Sequence, residues 1–424
     1  MCEQVVYARD LPVFAAEAPS KYQEAVRSFI RRIRRSEREI AAWEYLEFSR
    51  FEQLLDGTDS AGHLAGVPFG VKDVIHVEGM PTLGGAPELL SPVPQRYDAE
   101  LVQRWRAGGA APVGKTVTGR YGMMFAGKTR NPFNLAHTPG ASSSGSAAAV
   151  AAGMIPLSVG TQTGGSMIRP AAYCGVTAFK PSYGHLPTAG VLPLSPTLDT
   201  TGVFARDVRD IIFAVYSEVV PQMDLTRELR IGLYLDGKAA SVTGVARQTL
   251  DRVTREISKT ANSTGMTRLD GLYQEALNAS LVISAVETRK RFQRELAEVP
   301  RRVSQNLVDY CQREIARDVE HYRLTLSQVV PLQRRVDEMF TDIDVLIMPS
   351  TRTVAPPFTD TGTSEFISGW TLLGNPSLNL PLSPVRGVLP GAVQLIGSRG
   401  SDREFLKNCV RVEDHLRRSG MLFL

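Results

Sequence analysis

The sequence predicts an α/β fold on three observations. Short apolar runs alternate with helix-spaced stretches through the first half of the chain, in the order Gly66–Val71, 98–107 and Ala110–Val113. Apolar, β-rich runs return near the C-terminus, at Asp344 to Met348 (ended by Pro349) and at Ala392 to Ile396. The 424 residues are 43% hydrophobic and 22% charged, an ordinary globular composition with material for a large core.

The elements follow in chain order. Tyr22 to Leu46 reads as a helix, with Val26, Ile30, Ile33 and Ile40 at helical spacing. Its basic run from Lys21 to Arg38 is interleaved with Glu24, Glu37 and Glu39, which suits a solvated face better than nucleic-acid binding. Gly66 to Val71 is expected to be a buried strand ending at Lys72-Asp73. Asp98 is the expected N-cap of a helix carrying Leu101, Val102 and Trp105, stopped by Gly108-Gly109. A Gly/Ser loop, Pro139 to Ser146, feeds a small-residue helix from Ala147 to Ala152, and a second glycine-rich run spans Gly160 to Ser166. Charged helical stretches such as Ala285 to Ala297 and Gln312 to Tyr322 dominate from about 205 to 342. The expected segments are therefore a helical N-terminus (1–60), a core (61–204), a variable helical insert (205–342) and a C-terminal return to the core (343–424).

Composition narrows the function. The net charge of +4 is mixed along the chain, and no aromatic-and-basic platform accompanies it, so nucleic acid is not an expected partner. Cys2, Cys174, Cys311 and Cys409 form no CxxC pair, which makes a reduced, cytoplasmic setting the default. The most apolar stretch, Ala147 to Val159, is shorter than the roughly 20 residues a bilayer requires, and the N-terminus lacks the apolar core of a signal peptide, so no membrane association is expected.

Two segments carry candidate chemistry. Gly140-Ala141-Ser142-Ser143-Ser144-Gly145-Ser146 lacks the lysine of a P-loop and the spacing of a dinucleotide fingerprint, and taken alone reads as a turn. In Gly160-Thr161-Gln162-Thr163-Gly164-Gly165-Ser166, two glycines before Ser166 permit a sharp turn that would expose its hydroxyl and align successive N–H groups. No histidine stands in a catalytic context, so a serine here needs another base. A lysine serves if burial makes its amine neutral. Lys72, Lys115, Lys128 and Lys180 all lie near turns, and chemistry alone does not choose among them.

Together, Gly66-Val-Pro-Phe-Gly-Val-Lys-Asp73, the Ser/Gly loop at 140–146, the run at 160–166, Pro170-Ala-Ala-Tyr-Cys-Gly-Val176 and Phe179-Lys-Pro-Ser-Tyr-Gly184 resemble the amidase signature family. The resemblance implies a large mixed β-sheet covered on both faces by helices, and a Ser-cisSer-Lys triad whose serines stand 24 positions apart, as Ser142 and Ser166 do. By that carry-over Ser166 is the nucleophile, Ser142 the bridging serine after a cis peptide, and Lys72 the base. Thr163, Gly164, Gly165 and Ser166 would form the oxyanion hole, and neither cofactor nor metal is implied. Arg169, three residues after the nucleophile, resembles the malonamidase-type branch. There the matching arginine grips a substrate carboxylate, and a structural brace carries equal weight as its role here. Gln162, in place of a common aspartate, fits the same branch.

Arg120 would add charge to the pocket or face solvent. Met123, Met124 and Phe125 would line an acyl pocket or pack in the core, and Trp370 would form a pocket wall. The expected activity is hydrolysis of a small-molecule carboxamide through an acyl-enzyme, releasing ammonia or an amine. The alternatives are acyl transfer to an amine and a role as the ammonia-supplying subunit of an amidotransferase, with a homodimer left open as the assembly.

Overall fold

In the computed structural model, residues 5–424 are described except 57–61, 227, 236, 266–268, 300, 302, 317, 383–387 and 423–424, together with the side chains of 270 and 314. Cys2 and the expected 60/61 boundary lie outside the described residues.

The N-terminal helices are α1 (Leu11–Glu17), α2 (Pro19–Ile40) and α3 (Phe48–Leu55), with strand β1 (Trp43–Leu46) between the last two. Helix α2 buries Tyr22, Val26, Phe29 and Ile33, one stripe at helical spacing, while Arg31 pairs with Glu24 at 2.7 Å on the exposed side. It stops at Ile40 rather than Leu46. Ala41 turns left-handed at φ 52°, and Glu37 accepts from the backbone N–H groups of Ala42 and Trp43, which starts β1 instead.

The sheet continues through β2 (Pro68–Lys72), β3 (Ala111–Thr116), β4 (Leu157–Gln162), β5 (Thr177–Lys180) and β6 (Thr200–Ala205). Between these strands lie α4 (Glu100–Ala107), α5 (Ser144–Ala151) and α6 (Ile168–Cys174). Asp98 does not cap α4: Ala99 holds that position, and the Asp98 carboxylate accepts from the Glu78 N–H and from Arg106. Helix α7 (Val208–Tyr216) packs beside the sheet.

The segment expected to be helical contributes strands as well. Its elements are β7 (Arg230–Leu233), α8 (Gly244–Ile257), β8 (Asn262–Gly265), α9 (Leu269–Arg291), α10 (Gln293–Glu298), α11 (Gln305–Gln312) and α12 (Val319–Met339). The helix expected across Gln312 to Tyr322 is broken, with α11 ending at Gln312 and α12 capped by Asp318, whose carboxylate accepts from the His321 N–H. The chain closes with β9 (Val345–Pro349), α13 (Ser368–Leu373), β10 (Ser377–Leu382), β11 (Gly391–Ile396) and α14 (Asp402–Arg418).

Among the described residues, eleven strands join one sheet in the order β1-β3-β2-β4-β6-β5-β10-β11-β9-β7-β8. It is mixed: β2 runs parallel to β3 and β4, and β7 to β8 and β9, while the other pairs are antiparallel. Strand β9 shows how both faces are buried. Val345 and Ile347 join a core that includes residues of α8 and α14, while Leu346 and Met348 join one that includes residues of α9, α12 and α13.

Candidate active site

Strands β2 and β4 are parallel neighbours, and both end at the same edge of the sheet. That edge holds Lys72, the last residue of β2, beside Thr161 near the end of β4. Lys72 is fully buried, with Nζ 2.7 Å from Ser142 Oγ and 2.7 Å from Thr161 Oγ1. Burial pulls its pKa from an ordinary 10.5 down to about 7, although the charge of Asp199 opposes the change.

The other lysines are engaged elsewhere. Lys115 ion-pairs with Asp73 at 3.0 Å and Lys128 with Glu44 at 3.1 Å. Lys180 is also buried and drawn to about 7, yet its Nζ bonds the Pro181 carbonyl at 2.7 Å. A depressed pKa alone would not separate Lys180 from Lys72. Contact with a serine does.

Ser142 follows a cis peptide from Ala141. Its loop is fixed by bonds to strands rather than by helix capping. Ser143 Oγ donates to the Thr161 carbonyl at 3.1 Å, and Ser146 Oγ lies 2.7 Å from Thr116 Oγ1, while the Ser143 side chain makes no cap to α5. The Ser143 N–H bonds the Ser166 carbonyl at 3.2 Å, which ties the two serine-bearing turns together.

Ser166 is 9% exposed and opens on a cleft of about 1,030 Å³. Its hydroxyl has no hydrogen-bond partner among the described residues, so the bond to Ser142 that a relay requires is not made here. The N–H groups of Gly164, Gly165 and Ser166 likewise have no acceptor among the described residues, and Thr163 through Ser166 all line the cleft. Gly165 is required by close approach, since a Cβ there would lie 2.7 Å from Ser364 Cβ.

Most of the residues that hold this turn carry no signature of the role in sequence. Gln162 Oε1 accepts from the N–H groups of Met167 and Ile168, and its Nε2 donates to Thr371 Oγ1 at 3.0 Å. Thr371 Oγ1 in turn donates to the Gly164 carbonyl at 2.7 Å. On the opposite side, Thr163 Oγ1 donates to Asp199 at 2.6 Å, and Asp199 accepts from the N–H groups of Leu194 and Ser195. Glu287 of α9 accepts from Ser195 Oγ, from the Thr197 N–H and hydroxyl, and from Tyr322, so the helical segment is tied to the same loop. Only Thr161, Gln162 and Thr163, inside the glycine-rich run, had a local signal.

The remaining expectations divide. Met123 and Met124 line the cleft, Met124 being exposed, while Phe125 packs against a small apolar cluster with Tyr121 and Phe292. Arg120 does not add charge there: it lies outside the cleft lining and ion-pairs with Glu88. Trp370 is no pocket wall. It is completely buried, donates to Met348 Sδ and packs 5.4 Å from the Tyr273 ring. Arg169 touches the cleft, but its Nε and Nη2 donate to the Ala141 carbonyl and its Nη1 to the Gly362 carbonyl, so the structure favours the brace over the carboxylate grip.

Comparisons with known proteins agree with this architecture. The family model described as Amidase matches residues 24–406. A glutamyl-tRNA(Gln) amidotransferase subunit of Roseiflexus sp. (strain RS-1) is 33% identical over 416 residues, covering 84% of each chain. A solved structure described as an amidase superposes with a TM-score of 0.82 at 26% identity, covering 97% of this chain and 98% of the other. Another, from a vestigial protein complex bearing on the origins of an s-triazine catabolic enzyme, reaches 0.87 at 24% identity over 99% and 100% of the two chains and supports the fold. With its family model spanning most of its length, the chain belongs to the amidase family and is an enzyme acting on the carbon–nitrogen bond of amides.

Proposed function

We propose that this enzyme hydrolyses small carboxamides through an acyl-enzyme on Ser166, with Lys72 as base and Ser142 as the hydroxyl between them. The observation that carries the reading is the 2.7 Å contact of a fully buried Lys72 amine with Ser142, beside a cleft onto which Ser166 opens. A hydroxyl both donates and accepts, so Ser142 can pass one proton on while receiving another.

Neutral Lys72 takes the Ser142 proton, Ser142 takes that of Ser166, and Ser166 Oγ bonds to the amide carbon. Catalytic hydrogen bonds in unliganded enzymes are often unformed, so the Ser166–Ser142 bond is expected to close with substrate present. The oxygen that gains charge meets the backbone N–H groups of the 163–166 turn, where one good donor contributes about 3–4 kcal/mol. The C–N bond then breaks as Ser142 delivers its proton to the leaving nitrogen and Lys72 returns the one it held. Water attacks the ester, its proton travelling by the same relay to restore Ser166. The products are a carboxylic acid and ammonia or an amine.

The test is amide turnover by the isolated chain. Ser166→Ala should lower kcat by ~10⁴ or more with the fold intact, and hydroxylamine should divert the acyl group to a hydroxamate. Wild-type turnover in Ser166→Ala would end this reading. A second reading, in which the chain works within an amidotransferase complex, is favoured by the name of the Roseiflexus relative. Under it, the isolated chain would be inactive on free small amides and gain activity only with partner proteins.

A further inference from the structure

The charge of the cleft has no counterpart in the mechanism above. Two arginines, Arg169 and Arg313, line it, and no aspartate or glutamate is among its described lining residues. Arg169 is committed to main-chain carbonyls by three N–H groups. Arg313 is not so committed. It follows the last residue of α11, where the negative end of a helix favours a cation. Its guanidinium carbon lies 4.9 Å from the centroid of the Tyr310 ring, and among the described residues its side chain has neither a hydrogen bond nor an ion pair. A guanidinium held over a ring by a cation–π contact alone keeps its N–H donors for a planar, two-oxygen acceptor.

Two further features of the same cleft bear on its ligand. Thr288, fully buried on α9, lines it with an Oγ1 that lies near the Tyr310 phenol without forming a well-aligned hydrogen bond. Met124, Leu281 and Ile315 come from three separate segments, and each is an exposed large apolar side chain on its wall. The cleft that holds Ser166 thus offers apolar surface and a cation with no acid among the described lining residues.

We infer that Arg313 is a specificity-determining residue and that the preferred substrate is an amide bearing a carboxylate on an apolar chain, the carboxylate bound by Arg313 while Ser166 attacks the amide carbon. This rests on the acyl-enzyme reading above and moves the carboxylate contact from Arg169 to the helical segment.

The test compares ω-amide carboxylates (malonamate, succinamate, glutaramate, adipamate) with neutral aliphatic amides of matched length, using wild type, Arg313→Gln and Arg313→Lys. Wild type should favour at least one carboxylate over its neutral match. Arg313→Gln should lower kcat/KM for that substrate about ten-fold, mainly through KM, and change the neutral amides less than two-fold. Arg313→Lys should recover part of the loss, and circular dichroism should show the same fold in all three. No carboxylate preference in wild type, or equal losses on both series, overturns the inference and leaves the amidase reading standing. If wild type turns over neither series, the small-amide reading fails and the inference falls with it.

Discussion

The role proposed for Lys72 rests on what surrounds it rather than on its residue type. Burial favours the neutral amine and the charge of Asp199 opposes it, leaving a pKa of about 7. The sign of the pH dependence follows: below that value Lys72 is protonated and cannot accept from Ser142, so kcat/KM should rise with pH through about 7 and then level off. Asp199→Asn removes the charge that holds the pKa up, so the rising limb should move to lower pH. An unmoved limb in a pH–rate profile of that variant would separate Asp199 from Lys72. The Lys72-Asp73 step at the end of an apolar run was legible in sequence as a candidate, and the family resemblance assigned it a role. The choice among four lysines was not legible from residues alone, because contact with Ser142 joins segments 70 positions apart. Arg169 is a similar case. Its position three residues after Ser166 left a carboxylate grip and a structural brace equally open, and its guanidinium bonds the carbonyl of Ala141, just before Ser142.

The turn at 163–166 is held from two sides by elements far away in sequence. Helix α13 supplies Thr371, which joins Gln162 Nε2 to the Gly164 carbonyl. Thr371→Val preserves shape and removes both bonds, which should cost about 1–3 kcal/mol of stability. Because the carbonyls and N–H groups of this turn alternate, kcat should fall about ten-fold with KM little changed. Steady-state kinetics beside thermal denaturation check both parts, and a change confined to KM would contradict the positioning role. From the other side, Glu287 of α9 fixes the loop of Ser195 and Thr197, and Asp199 reaches Thr163 from the same loop. No local pattern marks Glu287, since a carboxylate on a charged helix reads as solvated until the fold buries it. Helix boundaries failed for a related reason: Ala41 adopts a left-handed conformation that its residue type does not announce.

Across the whole molecule, the sheet divides two cores. The α/β class and the strands at Pro68–Lys72, Val345–Pro349 and Gly391–Ile396 were legible from apolar runs bounded by turns. Strands β7 and β8 were hidden: Asn262–Gly265 has little apolar character, and its pairing to Arg230–Leu233 is a long-range contact. Trp370 fills the core on the α9 side of the sheet. Trp370→Ala should therefore cost about 3–5 kcal/mol in unfolding free energy, with KM unchanged in the molecules that remain folded. A raised KM at unaltered stability would return it to the pocket wall. Among the described residues no helix is long and apolar enough to cross a membrane.

The proposed reaction runs through a covalent bond between substrate and one serine. Acid quenching during turnover of a small amide, followed by peptide mass mapping, should find the acyl mass on the peptide containing Ser166 in wild type and nothing there in Ser166→Ala. Acylation of any other residue, or full turnover with no route through Ser166, would contradict it.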